Sequence, residues 1–278
     1  MGDCNAPRAA TTQRPQPGTI NDVLPIAAAI VAALLFVQAS LRLRRRGRAD
    51  LAGWDRATLF ALGIALTLVA LVSPLDRLAE GKLLSAHMTQ HVLIGDAAPA
   101  LLAVAVRGPL LVFMLPASVL APLAHSARAR AVLRTVLRPR VACSLWATNL
   151  AAWHVPYLYD LALRHQGLHD FEHACWVVAG LLMWTLLVDP GSHARLTVGG
   201  RVALAAAMFG AGQILTDVLV FSFHPLYPAY HGAYGLSALT DQQLSGVVMM
   251  VEQLLTLGTL VVVLLRLRLR PARRLATA

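Results

Sequence analysis

The sequence predicts an all-α polytopic membrane protein, a bundle of seven transmembrane helices with its N-terminus outside and its C-terminus in the cytoplasm. Three observations predict it. Of 278 residues, 57% are hydrophobic and only 14% charged, where a soluble domain carries about a quarter charged residues. Seven stretches stay apolar over about 20 residues, the length at which a helix crosses a bilayer. Basic residues are sorted into alternate connecting segments, as topology signals are.

Residues 1–18 hold Pro7, Pro15, Pro17 and Gly18 among polar neighbours. They lack the apolar core of a signal peptide, so a disordered tail is expected. A single membrane domain follows over 19–268, with spans expected near 20–41, 56–73, 83–106, 141–163, 168–188, 200–222 and 241–265. Residues 269–278 form a basic cytoplasmic tail. Between the third and fourth spans, 109–125 is apolar but short, and Pro116 and Pro122 interrupt it. An interfacial or re-entrant piece is expected there rather than a span. No internal repeat is visible.

Charge sets the orientation. In the seven-span layout the 41–56 loop, the 107–140 stretch, the 189–201 loop and the C-terminus share one side and carry 19 of the 24 lysines and arginines. The other side holds Arg8, Arg14, Arg77, Lys82 and Arg164. The richer side is cytoplasmic by the positive-inside rule. An eighth span at 109–125 would carry the five arginines of 128–140 outside and flip the spans after it, so it is rejected. The net charge of +10 does not imply nucleic acid, because the arginines sit in blocks between apolar segments. They read as topology determinants and anionic-lipid contacts. Cys4, Cys143 and Cys175 are far apart and form no CxxC, which excludes a zinc ribbon or a thioredoxin-type motif.

With this topology eight of the ten histidines gather at the outer edge: His87, His91, His154, His165, His169, His173, His224 and His231. His125 and His193 are cytoplasmic. His87 and His91 are four residues apart and so share a helix face, about 5–6 Å apart at Cβ. His169 and His173 repeat that geometry on the fifth span. One HxxxH is a weak signal. Two pairs at adjacent outer helix starts, with His154 beside them, point to a shared metal site, because neutral imidazole is the commonest metal-ligating side chain. Imidazole suits copper, zinc and iron alike. Met88, Met249 and Met250 are thioether neighbours that would favour Cu(I), although packing is the simpler reading of each.

Ionisable residues inside spans default to functional candidates. Asp96 and Glu252 are read as helix–helix hydrogen-bonding groups. Asp217 is a candidate ligand or imidazole acceptor. Glu172 and Asp241, with Asp160 and Asp170, add negative potential that attracts a cation. Trp153, Tyr157, Tyr159, Tyr227, Tyr230 and Tyr234 read as an outer aromatic belt.

Several motifs follow one another in order over about 55–265. They are His87-Met88-Thr89-Gln90-His91 followed by Ala98-Pro99, and Trp153-His154-Val155-Pro156 with Tyr159-Asp160. They continue with His169-Asp170-Phe171-Glu172-His173 with Trp184, and Asp241-Gln242-Gln243-Leu244-Ser245-Gly246. Together they resemble the CtaG family of cytochrome c oxidase assembly factors. The resemblance implies a bacterial plasma-membrane protein with seven spans that helps mature haem-copper oxidase by supplying copper, Cu(I) or Cu(II), to an oxidase subunit or another copper carrier. By position it carries over His87, His91, His154, His169 and His173 as metal ligands. Met88, Glu172, Asp217 and Asp241 are accessory candidates on the residue reading above. No enzymatic activity is expected. Two rivals stay open: a membrane histidine-box di-metal oxidoreductase, though such boxes usually include an adjacent His-His pair absent here, and a b-type haem electron carrier. A homo-oligomer is also open.

Overall fold

The computed structural model describes residues 20–191 and 195–269. The expected tail over 1–18, Cys4, His193 and the basic end beyond Leu269 lie outside the described residues. Among the described residues every regular element is helical and none is a strand. Six helices are long and apolar enough to cross a membrane: Val23–Arg45, Ala49–Val72, Leu84–Ala105, Gln166–Val188, Val198–Phe221 and Ala238–Leu269. In finer detail the first two are α1 (Ile20–Arg45) and α2 (Trp54–Val72). A short α3 (Pro74–Ala79) follows. The third is α4 (Leu84–Val92), one π-helical turn (Leu93–Ala97) and α5 (Ala98–Ala105).

The apolar 109–125 stretch forms two short helices, α6 (Pro109–Met114) and α7 (Ala117–His125), parted by an extended Leu115 before Pro116. Neither is long enough to span. The arginine-rich α8 (Ala127–Val136) follows with no buried residue. The expected fourth span, 141–163, is not one continuous helix. It divides into α9 (Pro139–Trp153) and α10 (Pro156–Arg164), with His154 and an extended Val155 between them. Pro156 is the cause: it offers no N–H to the preceding turn and drives the residue before it out of the helical region. The remaining elements are α11 (Gln166–Val188), α12 (Val198–Phe221) and α13 (Ala238–Gln253). A second π-helical turn (Leu254–Gly258) and α14 (Thr259–Leu269) complete the last long helix.

The long helices are apolar on the outside as well as the inside. Leu34, Ile214 and Leu255 are each more than 60% exposed, which an aqueous surface seldom tolerates in such numbers and a hydrocarbon surface favours. Inside, Phe36 of α1 stacks on Phe60 of α2 at 4.2 Å. Met183 and Trp184 of α11 pack with Ala205 and Met208 of α12 in a second core.

The bundle has two chemically different ends. At one, Arg56 donates to Arg107 O, Gly108 N–H donates to Pro190 O and Arg201 pairs with Asp189 at 2.9 Å. This joins the 45–56, 106–109 and 189–201 connections. At the other, Asp241 at the start of α13 meets the start of α4, and Lys82 reaches Tyr234. The α4–α5 helix runs from the second end to the first, about 33 Å at 1.5 Å per residue.

Candidate metal centre

The site begins with the start of α4. Buried backbone N–H groups at a helix start must find acceptors, and here the acceptor comes from another helix. The carboxylate of Asp241 accepts from Leu84 N–H, Ser85 N–H and the Ser85 hydroxyl. Gln90 adds a second tie, donating to Ala70 O at 2.9 Å and to Asp76 at 2.7 Å. His87 and His91, one turn and two turns along, therefore enter the bundle from a fixed helix.

α11 supplies the other pair. It crosses the α4–α5 helix with almost no separation: a Cβ on Gly180 would stand 2.1 Å from Gly95 O. Only glycine lets the two backbones approach this closely, the same logic by which small residues mark helix contacts in membranes. Upstream along α11, His169 and His173 then lie over His87 and His91.

The four imidazoles converge. Ring centroids are 4.3 Å apart for His87 and His91, 4.2 Å for His169 and His173, 5.4 Å for His87 and His169 and 5.6 Å for His91 and His173. All four are buried. Candidate ligand atoms of His87, His169 and His173 lie within 4.8 Å of one another, as do those of His87, His91 and Glu172. The Nε2 atoms of His87 and His91 are 2.9 Å apart, near the ~3.3 Å that two imidazoles keep around one tetrahedral ion at bond lengths of about 2.0 Å.

The groups behind the rings set their tautomers. Tyr230 donates its hydroxyl proton to Ala79 O at 2.6 Å, so its oxygen accepts from His87 Nδ1–H at 2.9 Å. That leaves the lone pair of His87 on Nε2, directed at His91. Tyr159 stands 3.3 Å from Tyr230. Glu80 Oε1 lies 3.1 Å from His169 Nδ1, the carboxylate–histidine arrangement that orients metal-binding imidazoles. Glu172 Oε1 lies 3.4 Å from His91 Nε2, so this carboxylate belongs to the cluster itself.

Other expected residues fall elsewhere. His154 is not in either convergent group. The Trp176 indole stands against both rings, 5.2 Å from His91 and 5.8 Å from His154, and places His154 behind it. Asp217 is exposed on α12 and accepts from Gln213 one turn away, because its helix position faces outward; it is not an imidazole acceptor. Asp241 serves the backbone of α4 rather than an imidazole. Met88 is buried beside Leu84, Tyr159 and Met249. His165, His224 and His231 are exposed.

The aromatic belt also needs correction. Tyr157 and Tyr234 are exposed, but Trp153, Tyr159, Tyr227 and Tyr230 are buried. Their polar tips have partners inside: Tyr227 donates to His154 O at 3.1 Å, and burial pushes its phenol well above the ordinary value, keeping it a donor. Asp96 sits on the first π-helical turn and accepts from Trp184 Nε1, as expected of a helix–helix hydrogen-bonding group. Glu80, Tyr230 and Trp176 contact the imidazoles without having been singled out for it from the sequence. Glu80 alone left a signal, as an acid next to the outer end of an apolar hairpin.

Comparison with known proteins agrees with the motifs. A family model described as cytochrome c oxidase caa3 assembly factor (Caa3_CtaG) matches residues 34–270. No curated protein and no solved structure matches the chain.

Proposed function

The chain belongs to the family of cytochrome c oxidase caa3 assembly factors, and from that premise we propose that it serves the oxidase as a copper chaperone. Copper is the cargo, held by His87, His91, His169 and His173 with Glu172 in reach, and handed to an oxidase subunit or to another copper carrier. His154 adjoins this set. One observation carries the reading: four buried imidazoles from two helices lie ring against ring, with His87 tied to Tyr230 and His169 to Glu80. Neutral, pre-oriented imidazoles suit copper better than the harder ions. Zinc and iron share the ligand preference and are the competitors to test.

In this reading α9 and α10 together make the fourth of seven spans, broken at Val155. α9 alone covers about 22 Å at 1.5 Å per residue. The arginine-rich end faces the cytoplasm by the positive-inside rule, the N-terminus is outside, and the imidazole cluster faces the outer compartment of a bacterial plasma membrane. The protein binds and releases rather than catalyses. Its cluster is buried, so transfer proceeds by ligand exchange with Glu172 and the paired histidines as alternates.

Purified protein reconstituted with copper tests this. Wild type is expected to retain copper through desalting, and His87→Ala with His91→Ala to lose it. Cells carrying the double variant should assemble oxidase deficient in copper. Undiminished copper in the double variant, or iron with oxygen-dependent oxidation of lipid, would overturn the proposal; a Soret band would favour a haem carrier instead.

A further inference from the structure

Next to the imidazole cluster, on the arginine-end side, the bundle holds a partly open cavity of about 60 Å³. A single buried water needs about 10–15 Å³, so the space is several times larger than one water. Most of its wall is apolar, yet three of the chain's seven methionines line it: Met88, Met208 and Met249. They come from three helices, α4, α12 and α13, and all three are buried. Methionine ordinarily fills irregular gaps, as Met183 does in the neighbouring core. These three border a gap they leave open.

Two imidazoles join them. His91 and His154 both line the cavity, and each keeps one buried ring nitrogen without a hydrogen-bond partner, Nδ1 of His91 and Nε2 of His154. The tautomer of His154 follows from its other nitrogen. Nδ1 lies 2.8 Å from Leu150 O, a carbonyl that can only accept, so Nδ1 carries the proton and Nε2 carries the lone pair. The same logic applies to His91. The lone pair of His87 Nε2 faces His91 Nε2 at 2.9 Å, so His91 donates from Nε2 and its Nδ1 is bare.

We infer that this cavity is a second metal site, specific for a soft monovalent cation, with Met88, Met208, Met249 and His154 as its donors and His91 shared with the imidazole cluster. Thioethers favour soft ions such as Cu(I), and the identity of the cargo rests on the copper reading above. A neutral imidazole has one lone pair, so His91 serves one site at a time. Copper can thus pass between the nitrogen-rich cluster and the sulfur-rich cavity by moving the His91 proton from one ring nitrogen to the other, with no net change of charge in the protein.

The test uses the full-length protein in detergent, titrated anaerobically with Cu(I) against a chromogenic chelator, with X-ray absorption at the copper edge. Wild type is expected to take two ions per chain and to show sulfur as well as nitrogen scattering. The triple variant Met88→Leu, Met208→Leu, Met249→Leu conserves volume and apolarity, which cores tolerate. It should take one ion with nitrogen ligands only, at an unchanged unfolding temperature. His87→Ala with His169→Ala should keep one ion, with sulfur scattering intact. A wild type holding one ion with nitrogen ligands alone overturns the cavity site and leaves the imidazole cluster standing. A single sulfur-ligated ion, indifferent to loss of His87 and His169, overturns the cluster and supports the cavity. Two ions retained by the triple variant, with an unaltered spectrum, also overturn the inference.

Discussion

Tyr230 shows how much of this site depends on single hydrogen atoms. Its hydroxyl has one proton, given to Ala79 O, and its oxygen therefore receives the His87 Nδ1–H. Replacing Tyr230 with phenylalanine keeps the ring in its apolar neighbourhood and removes the hydroxyl that accepts from His87 and donates to Ala79 O. Copper affinity is expected to fall about 10–100-fold, the usual cost of losing such a partner, with little change in unfolding temperature; a chelator competition reads it. Glu80→Gln at His169 should act in the same direction. Affinity is also expected to fall with pH. Imidazole must be neutral to bind a metal, and binding displaces protons. Protonation therefore competes increasingly as the medium is made more acid. The same titration repeated from neutral to acid pH checks the sign: weaker binding in acid, recovery on return to neutral pH. HxxxH spacing made the histidine pairs legible in the sequence because it depends only on helix periodicity. Glu80, Tyr230 and Trp176 were not legible, since each reaches its imidazole from another element, and Tyr230 lies 143 positions from His87.

At the scale of elements, two contacts hold the histidine-bearing helices in place. Gly180 permits the crossing of α11 over the first π-helical turn. Gly180→Val would need to push Gly95 O away, separating the two histidine pairs. Loss of bound copper with helical content retained is the expected result, by circular dichroism and metal analysis. Asp241 closes the start of α4 from α13. Asp241→Ala strands the buried N–H groups of Leu84 and Ser85, at about 1–3 kcal/mol for each unpaired group. Thermal unfolding should shift downward by several degrees, and copper binding should weaken as a consequence. Asp241, expected to add negative potential for a cation, has a structural function here, because a carboxylate beside helix N–H groups accepts from them first. The split of 141–163 into α9 and α10 was foreshadowed by Pro156. Its consequence was not: the break exposes the Leu150 and His154 carbonyls to His154 Nδ1 and Tyr227, which anchors the outer loop.

For the whole molecule the separation of its two ends is the feature with most consequence. Arginines and their carbonyl partners gather at one end, histidines and tyrosines at the other. In the proposed orientation a reporter fused to the C-terminus is active in the cytoplasm. A cysteine placed in the exposed part of the 222–237 loop, for example at His231, should react with an impermeant thiol reagent applied from outside. The opposite pattern would move the imidazole cluster to the cytoplasmic side and remove the basis for delivery to an outer copper carrier.

Composition, apolar run length and the placement of arginines determined the helical membrane class and six of the span positions, and four-residue spacing determined the paired histidines. All of these are local or additive properties of the chain, readable because a bilayer rewards twenty apolar residues wherever they stand. Convergence of α4 with α11, the exclusion of His154 by Trp176, the turning of Asp217 to the outside and the burial of four aromatic residues were decided by the tertiary structure alone. They depend on which helices touch and at what angle, and that follows from packing around residues such as Gly180, whose near contact with Gly95 has no trace in either residue's neighbours along the chain.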